Sequence, residues 1–462
     1  MPNLGFYEVQ LLVLAVICAA GFVLDRRLSS FLKGKETAES RLENGKDGNA
    51  AAAAALTRRY LLVYAIVMGA DWLQGPYVYS LYREQYGFPE RTVAVLFVTG
   101  FLSAGLAAPL VGVWADQHGR RKLCLVFCIT YTLACVCITM PFLPILLLGR
   151  LLGGISTSIL FSAFESWLVS SSASAGVPQA ALSTIMGRAT LTNGLVATGA
   201  GVVSNQLVGV TGSFVAPFIA SAGLLALAWV VIRGTWTENW GSGGGQADTD
   251  VFQVRRLGQA WDTVKRDPVL LVLGLTQTCF EGSMYLFVFL WVPALQEGSA
   301  LPSLPLGYIF SAFMISMMLG SLAYTILTAL FTRPGGDSSL TVHAKLSSLV
   351  CAVAALALAA SVKYQDEKHR FWAFCLFEAC VGMYYPVQGM LRGTLISNEH
   401  RATLSSLFRI PLNIFVVAAL MTGVSSARYA VLTASALVLT FSSLMTGLVV
   451  VSRTETHAGH PQ

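Results

Sequence analysis

The chain has 462 residues and a formal net charge of +6, with 55% hydrophobic and only 12% charged residues. Soluble domains carry about 25% charged residues, so water is excluded as the main solvent of this chain. Its basic residues sit in short segments between apolar runs rather than on one stripe, which excludes a nucleic-acid-binding face.

Crossing about 30 Å of hydrocarbon takes about 20 helical residues, and apolar runs of that length recur throughout the sequence. A barrel would show alternating segments of about ten residues instead. The expected fold class is therefore an all-α polytopic membrane protein. Thirteen spans are expected, over 5–24, 59–81, 92–115, 123–140, 145–170, 182–207, 214–232, 269–293, 306–331, 342–361, 371–393, 403–424 and 428–451. The first has an uncharged front and is followed by Arg26 and Arg27, the polarity of an anchor with its N-terminus outside rather than of a cleaved signal. If 25–58 is cytoplasmic, the inner segments hold twenty Lys and Arg against six in the outer ones, which places the C-terminus inside as well.

Two linkers punctuate the chain. Residues 33–57 mix charges with an alanine run ending at Ala55, which is compatible with either a flexible or a helical segment. Residues 233–268 contain the flexible stretch Gly241 to Gly245. The expected organisation is an N-terminal anchor and cytoplasmic linker (1–58), a six-helix bundle (59–232), a second linker (233–268), a second six-helix bundle (269–451) and a tail (452–462) that reads as disordered from 454. An internal repeat supports two related halves: Leu182 to Asn193 carries Arg188, and Leu404 to Asn413 carries Arg409, each opening its helix. Asp71 and Glu281 likewise lie midway along the first helix of each half.

A charge at the bilayer centre costs roughly 2.5–3.5 kcal/mol on insertion scales, so intramembrane ionisable residues need a reason to be there. Asp71 and Glu281 are central, with no basic neighbour expected at their depth, and are candidate proton carriers together with Glu165. Arg150 and Glu378 lie toward the outside, four residues before Gly154 and Gly382 respectively, and are candidate gating charges. Glu165, Arg188 and Arg409 lie toward the cytoplasm, and Arg392 is close to an inner end. Taken pair by pair, Glu165 with Arg188 and Arg150 with Glu378 also read as structural ion pairs.

The segment between the second and third helices of the first bundle reads Gly112-Val-Trp-Ala-Asp116-Gln-His-Gly119-Arg120-Arg121-Lys122. It resembles the signature loop of the major facilitator superfamily, in which glycines permit a tight turn, an acid meets a helix N-terminus and a basic pair anchors the inner face. Arg150-Leu-Leu-Gly153-Gly154-Ile-Ser156 is similar to the superfamily's Arg-then-Gly pattern. Gly149 and Gly153 read equally as a small-residue packing face. The helix over 182–207 lacks the Gly-Pro pattern of drug–proton antiporters.

Three further stretches narrow the resemblance: Ala70 to Tyr79, Gly149 to Trp167, and Phe280-Glu281 with Phe287 to Pro293. With Pro305 to Phe313, they resemble the molybdate-anion transporter family over about 59–420. The resemblance implies molybdate uptake at the cell membrane. Arg is the side chain best suited to grip oxyanion edges, so Arg188 and Arg409 are the expected ligands, with Asn193 and Asn413 as neutral donors. A dianion entering a negative-inside cell climbs about 4.6 kcal/mol at 100 mV, which calls for a coupling cation, most simply protons.

Other solutes of the same fold, such as sulfate, a sugar or a metabolite, stay open at this point. So does a membrane receptor or scaffold that does not transport. No catalytic residues, cofactor or metal site are expected: there is no G-x-x-x-x-G-K loop, and the nine cysteines read as apolar fillers within helices. His343 and His400 read as solvated inner-loop residues.

Overall fold

The computed structural model describes residues 5–33, 47–240, 261–262, 264–299, 301, 303–331, 338–396, 398–421 and 427–458. Among these residues all regular structure is helical. The long helices are α1 (Phe6–Lys33), α2 (Asp47–Gln74), α4 (Glu90–His118), α5 (Arg120–Ile138), α6 (Leu143–Leu160), α8 (Gln179–Thr211), α9 (Ala216–Thr235), α10 (Pro268–Glu297), α11 (Leu306–Phe331), α12 (Ser339–Lys363), α13 (Glu367–Leu395), α14 (Asn398–Met421) and α15 (Arg428–Met445). Shorter elements are α3 (Val78–Ser80), α7 (Ala163–Ser174) and α16 (Ser452–Ala458), so the helix extends past 454, where disorder was expected.

Helix occupies most of the described part of each expected stretch, and ten helical stretches among the described residues are long and apolar enough to cross a membrane. Those falling outside that set, α8, α13 and α14, carry Arg188, Glu378 with Arg392, and Arg409. Large apolar side chains such as Val16, Leu106, Leu356 and Leu448 remain more than half exposed, as lipid-facing positions must.

Contacts divide the chain into two compact units. The N-terminal unit comprises 30–252 with 306–311, and the C-terminal unit comprises 1–29, 253–305 and 312–462. The alanine run is helical, extending α2 back to Asp47. Helix α1 groups with the C-terminal unit: Tyr7 is buried against Phe371 at 5.3 Å, its hydroxyl donates to Glu367, and Lys368 lies 5.2 Å over the Phe6 ring.

Local chemistry sets the helix ends. The Asp267 side chain accepts from the Val269 N–H at 3.0 Å ahead of Pro268, and Ser338 caps α12 by accepting from the Thr341 N–H at 3.2 Å. Helix α8 follows Pro178 and stops at Gly212, whose φ of +67° suits glycine. The single span expected over 145–170 is broken between α6 and α7 at Phe161–Ser162. Ser156 and Thr157 bond back to Leu152 and Gly153, a pattern that bends helices.

The two units use one crossing device twice. A Cβ at Gly154 on α6 would drive into the α4 backbone at Gly100 and Ala104. A Cβ at Gly382 on α13 would meet Met317 on α11, and one at Gly320 would meet Ala379. Gly154 and Gly382, which stand at matching places in the two halves, thus both serve close helix packing.

All nine cysteines are free and lie in helices, eight of them buried. His343 departs from expectation: it is 5% exposed, with Nε2 3.0 Å from the Tyr324 hydroxyl and Nδ1 2.5 Å from the Ser339 carbonyl. Helix α12 begins four residues before it, which draws this nominal loop residue into the packed end of the bundle. The His400 side chain lies outside the described residues.

Candidate functional site

In the N-terminal unit the midspan polar residues come from α2, α5 and α8. Asp71 accepts a 2.5 Å hydrogen bond from the Tyr131 hydroxyl, and the neighbouring Trp72 indole donates to Asn193 Oδ1 at 2.8 Å. That bond uses the Asn193 amide oxygen and leaves its N–H groups without a hydrogen-bond partner among the described residues. Arg188, one and a half turns earlier on α8, has an exposed side chain. Neither Glu165 nor Arg188 makes an ion pair among the described residues, so the paired structural reading is not what the fold adopts. Glu165 instead lines a cleft of about 650 Å³ with Arg120, Phe161, Ser162, Ser166 and Trp240 beside the α6–α7 break.

Arg150 donates through Nε to the Leu96 carbonyl at 3.1 Å and lies 5.3 Å over the Phe97 ring, held close to Gly100. Glu378 is 7% exposed on α13 and makes no hydrogen bond among the described residues.

The C-terminal unit holds the denser cluster. Glu281 on α10 accepts from the Tyr384 hydroxyl at 3.3 Å and from Gln277 Nε2 at 3.3 Å, and its Oε1 lies 3.7 Å from Arg392 Nη2. Arg392 also donates to Gln277 Oε1 at 3.1 Å and to the Gln388 carbonyl at 3.3 Å. Glu281 thus has the basic neighbour that depth estimates did not give it. An arginine reaches more than the 5.4 Å of one helical turn, so a guanidinium need not sit at the height of its own Cα. Arg409 on α14 is exposed and within electrostatic reach of Glu281, while Asn413, one turn on, is half-buried.

Tyr131, Gln277 and Tyr384 were not singled out by sequence, and Arg392 was placed only near an inner helix end, although signals existed. Gln277 is four residues before Glu281, and Tyr384, Gln388 and Arg392 share one face of α13 at i, i+4, i+8 spacing. Tyr384 is fixed by stacking on Phe280 at 3.9 Å, which aims its hydroxyl at the adjacent Glu281.

The loop motif is built around a residue from the expected linker. Gly119 takes φ +101°, and the Glu238 carboxylate accepts from the Arg121 N–H at 2.8 Å and the Lys122 N–H at 3.1 Å. An acid, Glu238, thus meets the positive end of α5. Arg120 donates to the Ser166 carbonyl at 3.2 Å, Arg121 to the Arg233 carbonyl at 2.8 Å, and Trp236 stacks on Trp167 at 3.7 Å. Trp236 is therefore buried, and Glu238 and Asn239 are half-buried at the start of the expected linker. Gly112 and Asp116 fall in the last turns of α4, with the Asp116 side chain outside the described set.

Residues 35–374 match a family model for sugar transporters, 12 TM. The chain is 32% identical over 393 residues to the molybdate-anion transporter of Takifugu rubripes, covering 78% of each. It is 34% identical over 356 residues to the molybdate-anion transporter of Xenopus laevis, covering 76% of this chain and 75% of that one. The chain belongs to the molybdate-anion transporter family of the major facilitator superfamily. It is accordingly a multi-pass membrane transporter. Solved structures agree on the fold: a point mutant of the nucleoside transporter NupG aligns with a TM-score of 0.66 at 11% identity, covering 86% of this chain and 98% of that one. A bacterial homolog of the human lysosomal transporter Spinster, inward-facing and unoccupied, gives 0.63 at 14% identity, covering 89% and 98%.

Proposed function

We propose that this transporter carries molybdate into the cell by alternating access, coupled to protons or another cation, at the cell membrane. The observation that carries the reading is the identity of 32–34% to molybdate-anion transporters over about three quarters of both chains. The residues suit the cargo. Arg188 and Arg409 offer planar forks for the edges of a tetrahedral dianion, and Asn193 and Asn413 add neutral donors one turn away. Asp71, Glu281 and Glu165 are the proton carriers, and Arg150 and Glu378 the gating charges. The N-terminus lies outside and the C-terminus in the cytoplasm, with two six-helix bundles following an N-terminal anchor.

Coupling follows from electrostatics. Two negative charges entering against 100 mV cost about 4.6 kcal/mol, so uncoupled uptake concentrates nothing. Two or more cations per molybdate remove that electrical cost.

The test is uptake of labelled molybdate in cells lacking their own transporter, comparing wild type with Arg188→Ala and Arg409→Ala at matched surface levels. Uptake is expected to fall at least about tenfold in each, the loss of one charged hydrogen-bonding partner. Wild-type uptake in both variants would remove this anion site. The family-model description favours one rival, a neutral sugar. Competition by tungstate and sulfate but not by sugars is expected, and the reverse pattern would establish the rival. In proteoliposomes, uptake that survives collapse of both the pH gradient and the potential would end the coupling proposal.

A further inference from the structure

The Glu281 carboxylate is surrounded as an anion is surrounded. Its donors are the Tyr384 hydroxyl at 3.3 Å, Gln277 Nε2 at 3.3 Å and Arg392 Nη2 at 3.7 Å. Charge-assisted hydrogen bonds normally close to about 2.7–2.9 Å, so all three contacts are slack. The donors, by contrast, are fixed by groups other than Glu281. Arg392 is held by Gln277 Oε1 at 3.1 Å and the Gln388 carbonyl at 3.3 Å, Gln388 in turn donates to Ser347 Oγ at 2.8 Å, and Tyr384 is clamped by Phe280. Without the carboxylate, the donors would keep their places.

We propose that Arg392, Gln277 and Tyr384 form a tetrahedral-oxyanion seat in the C-terminal unit, which the Glu281 carboxylate fills as a tethered stand-in for the transported anion. This rests on the anion-transporter reading above. The seat is reachable: the Arg392 and Glu281 side chains retain 19% and 12% exposure, whereas the purely structural Arg370 retains 1%. A shielded structural ion pair would show short, two-point contacts instead.

The seat couples anion to proton. An incoming dianion must displace a carboxylate that stays tethered close by, and a proton on Glu281 removes both the competition and the repulsion. By linkage, bound anion favours the proton as much as the proton favours the anion. The other groups facing Glu281 are Tyr384, Tyr385 and Arg392 from α13, Arg409 from α14 and Tyr285 on its own helix. The arginine of α15, Arg428, lies at the far end against the Pro293 carbonyl and Glu297. The facing cations are arginines, which stay charged over the working range, so Glu281 is the group whose ionisation sets the pH response.

The experiment is equilibrium binding of radiolabelled molybdate to the purified full-length chain in nanodiscs, from mildly acidic to mildly alkaline pH. In wild type the apparent Kd is expected to weaken by up to about tenfold per pH unit once Glu281 is ionised. Glu281→Gln should flatten that slope and bind at least about tenfold tighter than wild type at the alkaline end. Arg392→Lys, which keeps charge but loses the fork, should weaken binding and keep the slope, whereas Arg188→Ala should change the level alone. A wild-type slope in Glu281→Gln, or wild-type affinity in Arg392→Lys, overturns the seat while leaving the transporter reading intact. Wild type that binds neither molybdate nor sulfate at any pH overturns both.

Discussion

Arg370 opens a quantitative test of what holds the C-terminal unit together. Sequence placed it in an outer loop, yet it is 1% exposed. Its Nη1 donates to the Ala294 carbonyl, its Nε to the Ser361 carbonyl at 3.2 Å and its Nη2 to the Tyr429 hydroxyl at 3.3 Å, with the guanidinium 5.6 Å over the Tyr429 ring. Ala294 and Ser361 lie in the last turns of α10 and α12, where carbonyls lack intrahelical partners and the helix dipole is negative. One cation therefore closes two helix C-termini against α13. Arg370→Leu strands both carbonyls. Two hydrogen bonds from a charged donor are worth about 1.5–3 kcal/mol each, and relief from burying the guanidinium offsets part of that, leaving a net loss of about 2–4 kcal/mol. At about 2–4 °C per kcal/mol for a unit of this size, thermal unfolding of the detergent-purified protein should drop by about 5–15 °C. Arg370→Lys, which keeps the charge but loses the fork, should lose about half as much. A Leu variant within about 2 °C of wild type would refute the closure argument.

Glu238→Ala removes the acceptor for two N-terminal amides of α5 and should lower the unfolding temperature by about 2–6 °C through a loss of about 1–2 kcal/mol, with Glu238→Gln intermediate; unchanged Tm in both would show that the α5 end is satisfied otherwise. Substituting alanine at two glycines of α13 should give opposite signs. Gly382→Ala collides with the Met317 main chain and should cost about 1–3 kcal/mol or more, whereas Gly389→Ala meets nothing within 4 Å and should stabilise by about 0.5–1 kcal/mol, both read as melting shifts. Asp71→Asn keeps an acceptor for Tyr131 while deleting a charge, so proton-driven accumulation of molybdate should fall while molybdate exchange across a membrane without gradients persists. Loss of exchange as well would assign Asp71 to binding or folding rather than to coupling.

The fold was legible because hydrocarbon imposes a length on each helix, and the apolar runs obey it. The Gly154 and Gly382 correspondence was legible too, since close packing needs glycine at the crossing itself. Depth at 1.5 Å per residue gives height but no azimuth. That is why Glu165 and Arg188, matched in height, form no pair, and why the Arg392 partner of Glu281 went unseen. The α6–α7 break has no proline or glycine to announce it, only backbone-bonding Ser156 and Thr157. Glu238 and Arg370 sat in stretches read as linker and loop, because hydropathy marks where a chain leaves lipid and says nothing of how tightly it then packs.

The two units keep the same midspan acid but give it different company. In each, a tyrosine hydroxyl donates to the carboxylate: Tyr131 to Asp71 at 2.5 Å and Tyr384 to Glu281 at 3.3 Å. Asp71 has that short neutral bond as its one hydrogen bond among the described residues, while Glu281 adds Gln277 and Arg392 at longer range. A carboxylate held by one short neutral donor can gain or lose a proton with little rearrangement. One balanced against an arginine cannot change charge without freeing that arginine. The two units thus hold their midspan acids differently among the described residues, Asp71 by a tyrosine alone and Glu281 by a tyrosine, a glutamine and an arginine.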